Sequence, residues 1–321
     1  MKKTFQLGYN LSSEEHAPND LVKNAQHAEK IGFDFAMISD HYHPWMDIQG
    51  HSSFVWSVIG AISHATERMH LATGVTCPIM RIHPAIIAQA AATAADMMPG
   101  RFSLGIGSGE NLNEHILGDH WPPTPTRLEM MEEAVAIIRK LWTGDEITHY
   151  GKYYTVENAR IYTLPEKLPP ILIASSAENS AELAGKIGDG LVSTAPLKEI
   201  IENFEQGGGK NKPRYGKLDV CWASTEKEGR RIAYQQWANT GIEGQLNQEI
   251  ATPALMEMAA AMVSEEDVTK HIICGPDPEK HLAQIRKYEQ AGFDHIYIHQ
   301  IGPDQGGFFK FYEKEILPRL S

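Results

Sequence analysis

The chain has 321 residues, enough to bury a large core, and its composition carries none of the biases of disordered, collagen-like or coiled-coil sequences. With 29 Lys and Arg against 41 Asp and Glu, the formal net charge is −12, so no long-range positive field gathers DNA or RNA and no nucleic-acid partner is expected. A small anionic ligand stays compatible, because a few backbone N–H groups and local cations can bind one on an acidic protein.

Cys77, Cys221 and Cys274 are odd in number and widely spaced, with no CxxC, and fit free thiols in a reducing cytoplasm. The start, Met1 to Gly8, carries two lysines but no apolar run, and no stretch approaches the ~20 apolar residues of a membrane span. The expectation is a cytoplasmic, unprocessed protein with no membrane partner.

Short apolar runs alternate with amphipathic helical patterns, the signature of βα units around a parallel sheet. The predicted strands are Phe5–Asn10, Phe33–Asp40, Met69–Cys77, Arg101–Gly107, Pro170–Ser175, Gly190–Ala195, Lys217–Ala223 and His295–Ile301. Between them, Asn19–Ile31 repeats Leu21, Ala25, Ala28 and Ile31 at helical spacing and stops at Gly32, while Pro84–Met97 and Arg127–Trp142 read likewise. A doubly wound sheet usually carries GxGxxG after its first strand, and here that strand runs into Asn10-Leu11-Ser12-Ser13-Glu14. An α/β fold of (β/α)₈ barrel type is therefore preferred. Two stretches exceed a minimal barrel, about 109–125 and 225–275, and read as loop-face insertions in a single domain over 1–321.

Asp40-His41-Tyr42-His43-Pro44-Trp45 follows the apolar run of the second strand, so Asp40 and His41 should emerge at its C-terminal tip, the catalytic face of a barrel. A histidine there exchanges a proton near neutral pH, and Trp45 can wall a slot for a planar ring. A loop that merely caps the strand would read similarly. At the tip of the fourth strand, Gly105, Gly107 and Gly109 alternate with Ile106 and Ser108 and are followed by Glu110 and Asn113. Such glycines let backbone approach a flat ligand, with an acid and an amide beside it, although a plain tight turn looks much the same.

Ser39-Asp40-His41, Trp45, the GxGxGE run with Asn113, and Asp189-Gly190 together resemble the F420-dependent glucose-6-phosphate dehydrogenase family of luciferase-like enzymes. Leu7-Gly8-Tyr9, Ala17-Pro18, Pro84-Ala85, Ile87-Ala88-Gln89-Ala90 and Leu317-Pro318-Arg319-Leu320 extend the likeness over nearly the whole chain.

The resemblance implies a luciferase-like TIM barrel that holds coenzyme F420, an 8-hydroxy-5-deazaflavin, over a bulge in the third strand with a non-prolyl cis peptide at Gly74-Val75. It implies contacts to that coenzyme from Asp40, Gly74, Val75, Cys77, Gly107, Ser108 and Asn113. A phosphate-binding turn at Ala174, Ser175, Ser176 and Ala177, with Ser193 and Thr194 near it, completes the set. By the same carry-over His41 is the base taking the hydroxyl proton, Glu110 the acid serving the reduced ring, Trp45 a transition-state stabiliser and Glu14 a further acid near the substrate. The reaction needs no metal, and no HExxH or comparable ligand spacing occurs. A homodimer is also implied, with apolar surface to spare on a helix such as Ser52–Ala65.

The match departs where that family holds its substrate phosphate. Lys198 fits the first of its lysines within a one-residue shift, but Asn247 and His271 stand at the other lysine and the arginine. The expected substrate is thus a different small alcohol, lactol or carbonyl compound. The alternatives are a glucose-6-phosphate dehydrogenase proper using Lys198, Lys270 and His271, an FMN-dependent luciferase-like monooxygenase, for which the motif combination argues less well, and a catalytically silent cofactor-binding protein.

Overall fold

A computed structural model describes residues 5–320; Met1–Thr4 and Ser321, the ends of the expected 1–321 domain, lie outside the described residues. Eight parallel strands form a closed barrel: β1 (Gln6–Leu11), β2 (Phe35–Ile38), β3 (His70–Thr73), β4 (Phe102–Ile106), β5 (Ile171–Ala174), β6 (Gly190–Ser193), β7 (Arg214–Cys221) and β8 (His295–Gln300). Neighbours pair in chain order, β7 pairs with both β6 and β8, and β8 returns to β1 to close the barrel. A two-residue strand, Ile273–Cys274, extends the edge of β7.

Alternation of side chains decides what fills the barrel. On β1, Leu7, Tyr9 and Leu11 join the main core under the helices, whereas a Cβ on Gly8 would lie 2.4 Å from the Phe35 ring inside. Phe35, Met37, Ala72, Leu172, Val192, Tyr215 and Tyr297 plug the interior, and Val75 and Ala174 sit on top of the plug, only partly buried. The plug is thus the floor of the C-terminal mouth, where barrel enzymes carry their chemistry.

Helices pack outside. Pro18–Ile31 begins with proline at its first turn, buries Leu21, Ala25 and Ala28, and ends at Gly32 with φ 104°, a left-handed conformation that glycine adopts freely. Val55–Ala65 buries Val55, Val58 and Ile59, so much of the apolar surface expected to be spare on Ser52–Ala65 belongs to the core; Phe54 remains exposed. Among the described residues no helix is long and apolar enough to cross a membrane.

Three strands depart most from their expected bounds. β2 ends at Ile38 because Ser39 and Asp40 turn aside to bond loop partners. β3 ends at Thr73, where the Gly74–Val75 peptide is cis, and pairing resumes only as the single bridge Thr76 to Ile106. β7 starts at Arg214 and stops at Cys221, earlier than expected at both ends, because Arg214-Tyr215-Gly216 carries no apolar run to mark the start. An antiparallel hairpin, Ile147–Tyr150 with Thr155–Ala159, was not expected from the sequence.

The two long insertions meet. Arg127, at the start of the helix Thr124–Leu141, is fully buried, lies over the Trp121 ring at 4.2 Å, and donates to Pro122 O, Thr124 Oγ1 and Gln248 Oε1. The second insertion has its own small core of Ala233, Trp237, Met256, Ala260 and Val268, closed by Met46 from the loop after β2.

Candidate active site

The site begins in the loop after β1. Glu14 is buried; its Oε2 accepts hydrogen bonds from Ser12 Oγ at 3.0 Å and Ser39 Oγ at 2.6 Å, and its Oε1 lies 3.5 Å from His41 Nε2. Burial opposes ionisation of Glu14, but the adjacent His41 and the two hydroxyls outweigh it and hold the carboxyl below its ordinary range. The Trp45 ring lies 5.0 Å from that of His41, centroid to centroid, and its backbone N–H is held by Gln49 Oε1 at 2.9 Å. Glu14, His41 and Trp45 are thus brought together at the mouth.

The tip of β4 faces them. Asn113 is buried; its Oδ1 accepts from the backbone N–H groups of Tyr42 and His43 at 2.9 and 3.1 Å, and its Nδ2 reaches Glu110 Oε2 at 3.5 Å. One amide therefore joins the loop carrying His41 to the loop carrying Glu110. Asp40 is buried too, accepting from Thr76 Oγ1 at 2.8 Å and from Arg81 Nη2 at 3.0 Å. Arg81 also faces Glu114, which burial above all, with the charges of Glu110 and Asp40, pushes up to about 7 against the pull of Arg81. Asp40 and Asn113 thus have their polar atoms occupied by protein partners.

Between these loops the floor is small and flat. A Cβ on Gly107 would lie 2.8 Å from Val75 Cγ2 and 3.3 Å from Ala174 Cβ, and one on Gly109 would meet Cys77 Sγ at 2.6 Å. Gly74, Val75 and Ser108 remain partly exposed above the plug, while Cys77 is buried and its thiol is raised by burial and by Glu114. Beyond Ala174, Ser175 Oγ bonds Ser180 Oγ at 2.8 Å, and Ser176 and Ala177 lie exposed before the helix Glu178–Ile187. Its first N–H groups have no intrahelical acceptor and suit a phosphate, with buried Ser193 and exposed Thr194 on the neighbouring strand end. An apolar floor bordered by hydroxyls and helix-start amides fits a planar ring with a phosphodiester tail.

The three residues at the sugar-phosphate positions do not form a set of three cations. Lys198 is exposed and pairs with Glu202 at 3.3 Å; Asn247 Nδ2 donates to Asn239 O at 3.2 Å; His271 is exposed. Lys270 pairs with Asp267 at 2.8 Å.

Sequence reasoning missed Ser12, Arg81 and Glu114, and a chain of charges that runs from β7 and β8 to the loop after β1: Lys217, Asp219, His299 and Glu15. The available signal was polar residues at alternate positions of two strands that otherwise read as buried.

The family model described as "Luciferase-like monooxygenase" matches residues 3–295. The F420-dependent glucose-6-phosphate dehydrogenase of Microbacterium testaceum is 35% identical, with 98% of this chain and 97% of that protein covered. The protein of the same description from Nakamurella multipartita is 36% identical over 98% of this chain and 96% of its own. Among solved structures, an F420-dependent secondary alcohol dehydrogenase in complex with an F420-acetone adduct superposes with a TM-score of 0.93 at 30% identity, covering 99% of both chains. The coenzyme F420-dependent tetrahydromethanopterin reductase of Methanopyrus kandleri shares the fold, with a TM-score of 0.81 at 19% identity over 99% of both chains. By the matched model and by full-length identity, the chain belongs to the luciferase-like family and, within it, to the group of the F420-dependent glucose-6-phosphate dehydrogenases.

Proposed function

We propose that the protein is a coenzyme F420-dependent dehydrogenase or reductase that acts on the CH–OH carbon of a small alcohol, lactol or sugar-type substrate without a phosphate. The observation that carries this reading is the Glu14–His41 contact between the loops after β1 and β2. When bound there, F420 supplies a hydride acceptor or donor at C5 of its deazaflavin ring.

The chain's own groups do the rest. His41 Nε2 accepts the hydroxyl proton as the carbinol carbon loses its hydride, and the Glu14 carboxylate beside it stabilises the imidazolium that forms. Trp45 walls the substrate slot against His41, and Glu110, oriented through Asn113, holds or returns a proton on the ring side. Gly74, Val75, Gly107, Ser108 and Cys77 shape the ring's seat, Asp40 and Asn113 brace it, and Ala174, Ser175, Ser176, Ala177, Ser193 and Thr194 receive the phosphodiester. Lys198, Asn247 and His271 border the substrate side without forming a three-cation phosphate site.

Residues 1–321 work as one cytoplasmic domain, and two copies form a homodimer. Exposed Phe54, Ile86 and Met97 around a groove between the helices Val55–Ala65 and Pro84–Met97 support that pairing. The test is a panel of simple alcohols and sugar phosphates with purified F420, followed by loss of its visible absorbance. Turnover with FMN and none with F420 would overturn the reading.

A further inference from the structure

Lys217 and Asp219 on β7 alternate with Leu218 and Val220 of the outer core, and His299 on β8 follows outer-core Ile298, so all three face the barrel interior. Asp219 and His299 are register partners. Lys217 Nζ lies 3.0 Å from Asp219 Oδ1, Asp219 Oδ1 lies 2.7 Å from His299 Nδ1, and His299 Nε2 lies 2.8 Å from Glu15 Oε2. Glu15 Oε1 then accepts the backbone N–H of Gly302 at 3.0 Å. The His299 side chain has no exposure, and Trp237 stands edge-on to it at 4.6 Å while Lys217 lies over the same indole at 5.0 Å.

Both imidazole nitrogens of His299 face carboxylates, so both must donate and the ring is an imidazolium. Burial and Lys217 oppose that charge, yet hydrogen bonds to Asp219 and Glu15 outweigh them and raise the pKa of His299. Signs alternate along the chain, Lys⁺, Asp⁻, His⁺, Glu⁻, which is how buried charges are tolerated. A partner cannot be removed without stranding a neighbour.

The chain ends next to the catalytic loop. Glu14 and Glu15 are consecutive, and their side chains diverge: Glu14 to Ser39 and His41 on the β2 side, Glu15 to His299 and Gly302 on the β8 side. On the β2 side the loop is tied by Ser13 N–H to Ser39 Oγ at 2.9 Å and Ser13 Oγ to Ser39 O at 2.7 Å. Glu15 is its tie to β8. We infer that Glu15, His299, Asp219 and Lys217 are positioning residues that pin this loop from the β8 side and so hold Glu14 against His41.

The inference rests on the reading of His41 as proton acceptor. Its test is Glu15→Gln, which keeps an acceptor for Gly302 and removes the charge facing His299. Expected is a fall in kcat of about tenfold or more from misplacement of Glu14, with F420 affinity unchanged by fluorescence titration. In a Glu14→Gln background the same substitution should change kcat by less than about twofold, since the residue being positioned is gone. Equal losses in both backgrounds, or no loss in either, overturn the proposal. Should Glu15→Gln fail to fold, Lys217→Met at the partly exposed end of the chain takes its place, with the same coupling expected. A crystal structure of the variant without coenzyme reads the geometry directly: a widened Glu14–His41 separation supports the inference and an unchanged one refutes it. Absence of F420 turnover by the unmodified protein would refute the proposed function alone.

Discussion

Glu14 and His41 form an acid–base pair between the loops that follow β1 and β2, with Glu14 Oε1 3.5 Å from His41 Nε2 and its other oxygen held by the Ser12 and Ser39 hydroxyls. The hydroxyls leave the carboxylate little freedom, and its lowered pKa keeps it ionised at neutral pH. A proton gained by His41 is therefore met by a fixed negative charge.

Replacing His41 by alanine is expected to lower kcat by ~10²–10⁴-fold while leaving F420 affinity nearly unchanged, because a general base acts in the transition state. Glu14→Gln should cost less, ~10- to 100-fold, the worth of one charge-assisted hydrogen bond. Glu110→Gln should impair turnover as well. Steady-state rates with the best alcohol of the panel decide; near-wild-type kcat in both His41→Ala and Glu14→Gln would remove the pair from the mechanism.

The coenzyme seat makes a second expectation. F420 should bind more tightly than FMN, and Gly107→Val should weaken F420 binding while retaining the fold, since even a Cβ there would come within 2.8 Å of Val75 Cγ2 and the added methyls would rise into the ring's place. Fluorescence titration with both coenzymes reads this directly. Tighter FMN binding, or undiminished F420 binding by the variant, would count against the seat.

The barrel and the strand-tip motifs were legible because they rest on local pattern. Apolar runs place β2 and β4, and whatever follows them, His41 or Glu110, must stand at the mouth. Long-range pairing was not legible. Nothing local couples Glu15 to His299, 284 positions apart, or Arg127 to Gln248, 121 apart, and only His299, a polar residue within an apolar strand, left a trace. The interruption of β3 after Thr73 was likewise carried only by the resemblance. The hairpin at 147–159 escaped because its exposed positions, Thr148, Tyr150 and Thr155, alternate around few buried ones.

Stability should carry the mark of Glu114. Its carboxyl is pushed up to about 7 in the folded protein from an ordinary 4.5, so between those pH values the unfolded chain has released a proton that the folded chain keeps. Stability from this group therefore falls as pH rises through that window, by at most about 3 kcal/mol. His70 and His281, both held down to about 4 by burial, tilt the curve the other way: they lose stability as pH falls below 6.5. Those terms cancel when Glu114→Gln is compared with the wild type. The Tm difference, variant minus wild type, is expected to grow from pH 4.5 to 7 and then level; a flat difference would show that Glu114 titrates normally.

Glucose 6-phosphate is expected to be a poor substrate. Phosphate recognition at a barrel loop combines N–H groups with several cations, and here the three candidate positions do not supply them: Lys198 is paired to Glu202, Asn247 is neutral and bonded to Asn239 O, and His271 is a histidine where an arginine would stand. Two missing cations forgo charge-assisted hydrogen bonds worth ~1.5–3 kcal/mol each, a loss of roughly 100-fold or more in affinity. The double variant Asn247→Lys with His271→Arg should lower the KM for glucose 6-phosphate and leave the rate with a neutral alcohol almost unaltered, because neither residue touches His41 or Glu14. Lys198 would then be drawn from Glu202 to the phosphate, so Glu202→Gln should lower KM further in that background and hardly at all in the wild type. Oxidation of glucose 6-phosphate by the unmodified protein at a kcat/KM of ~10⁴ M⁻¹s⁻¹ or above would make it a sugar-phosphate dehydrogenase after all, with its phosphate held by groups other than these three.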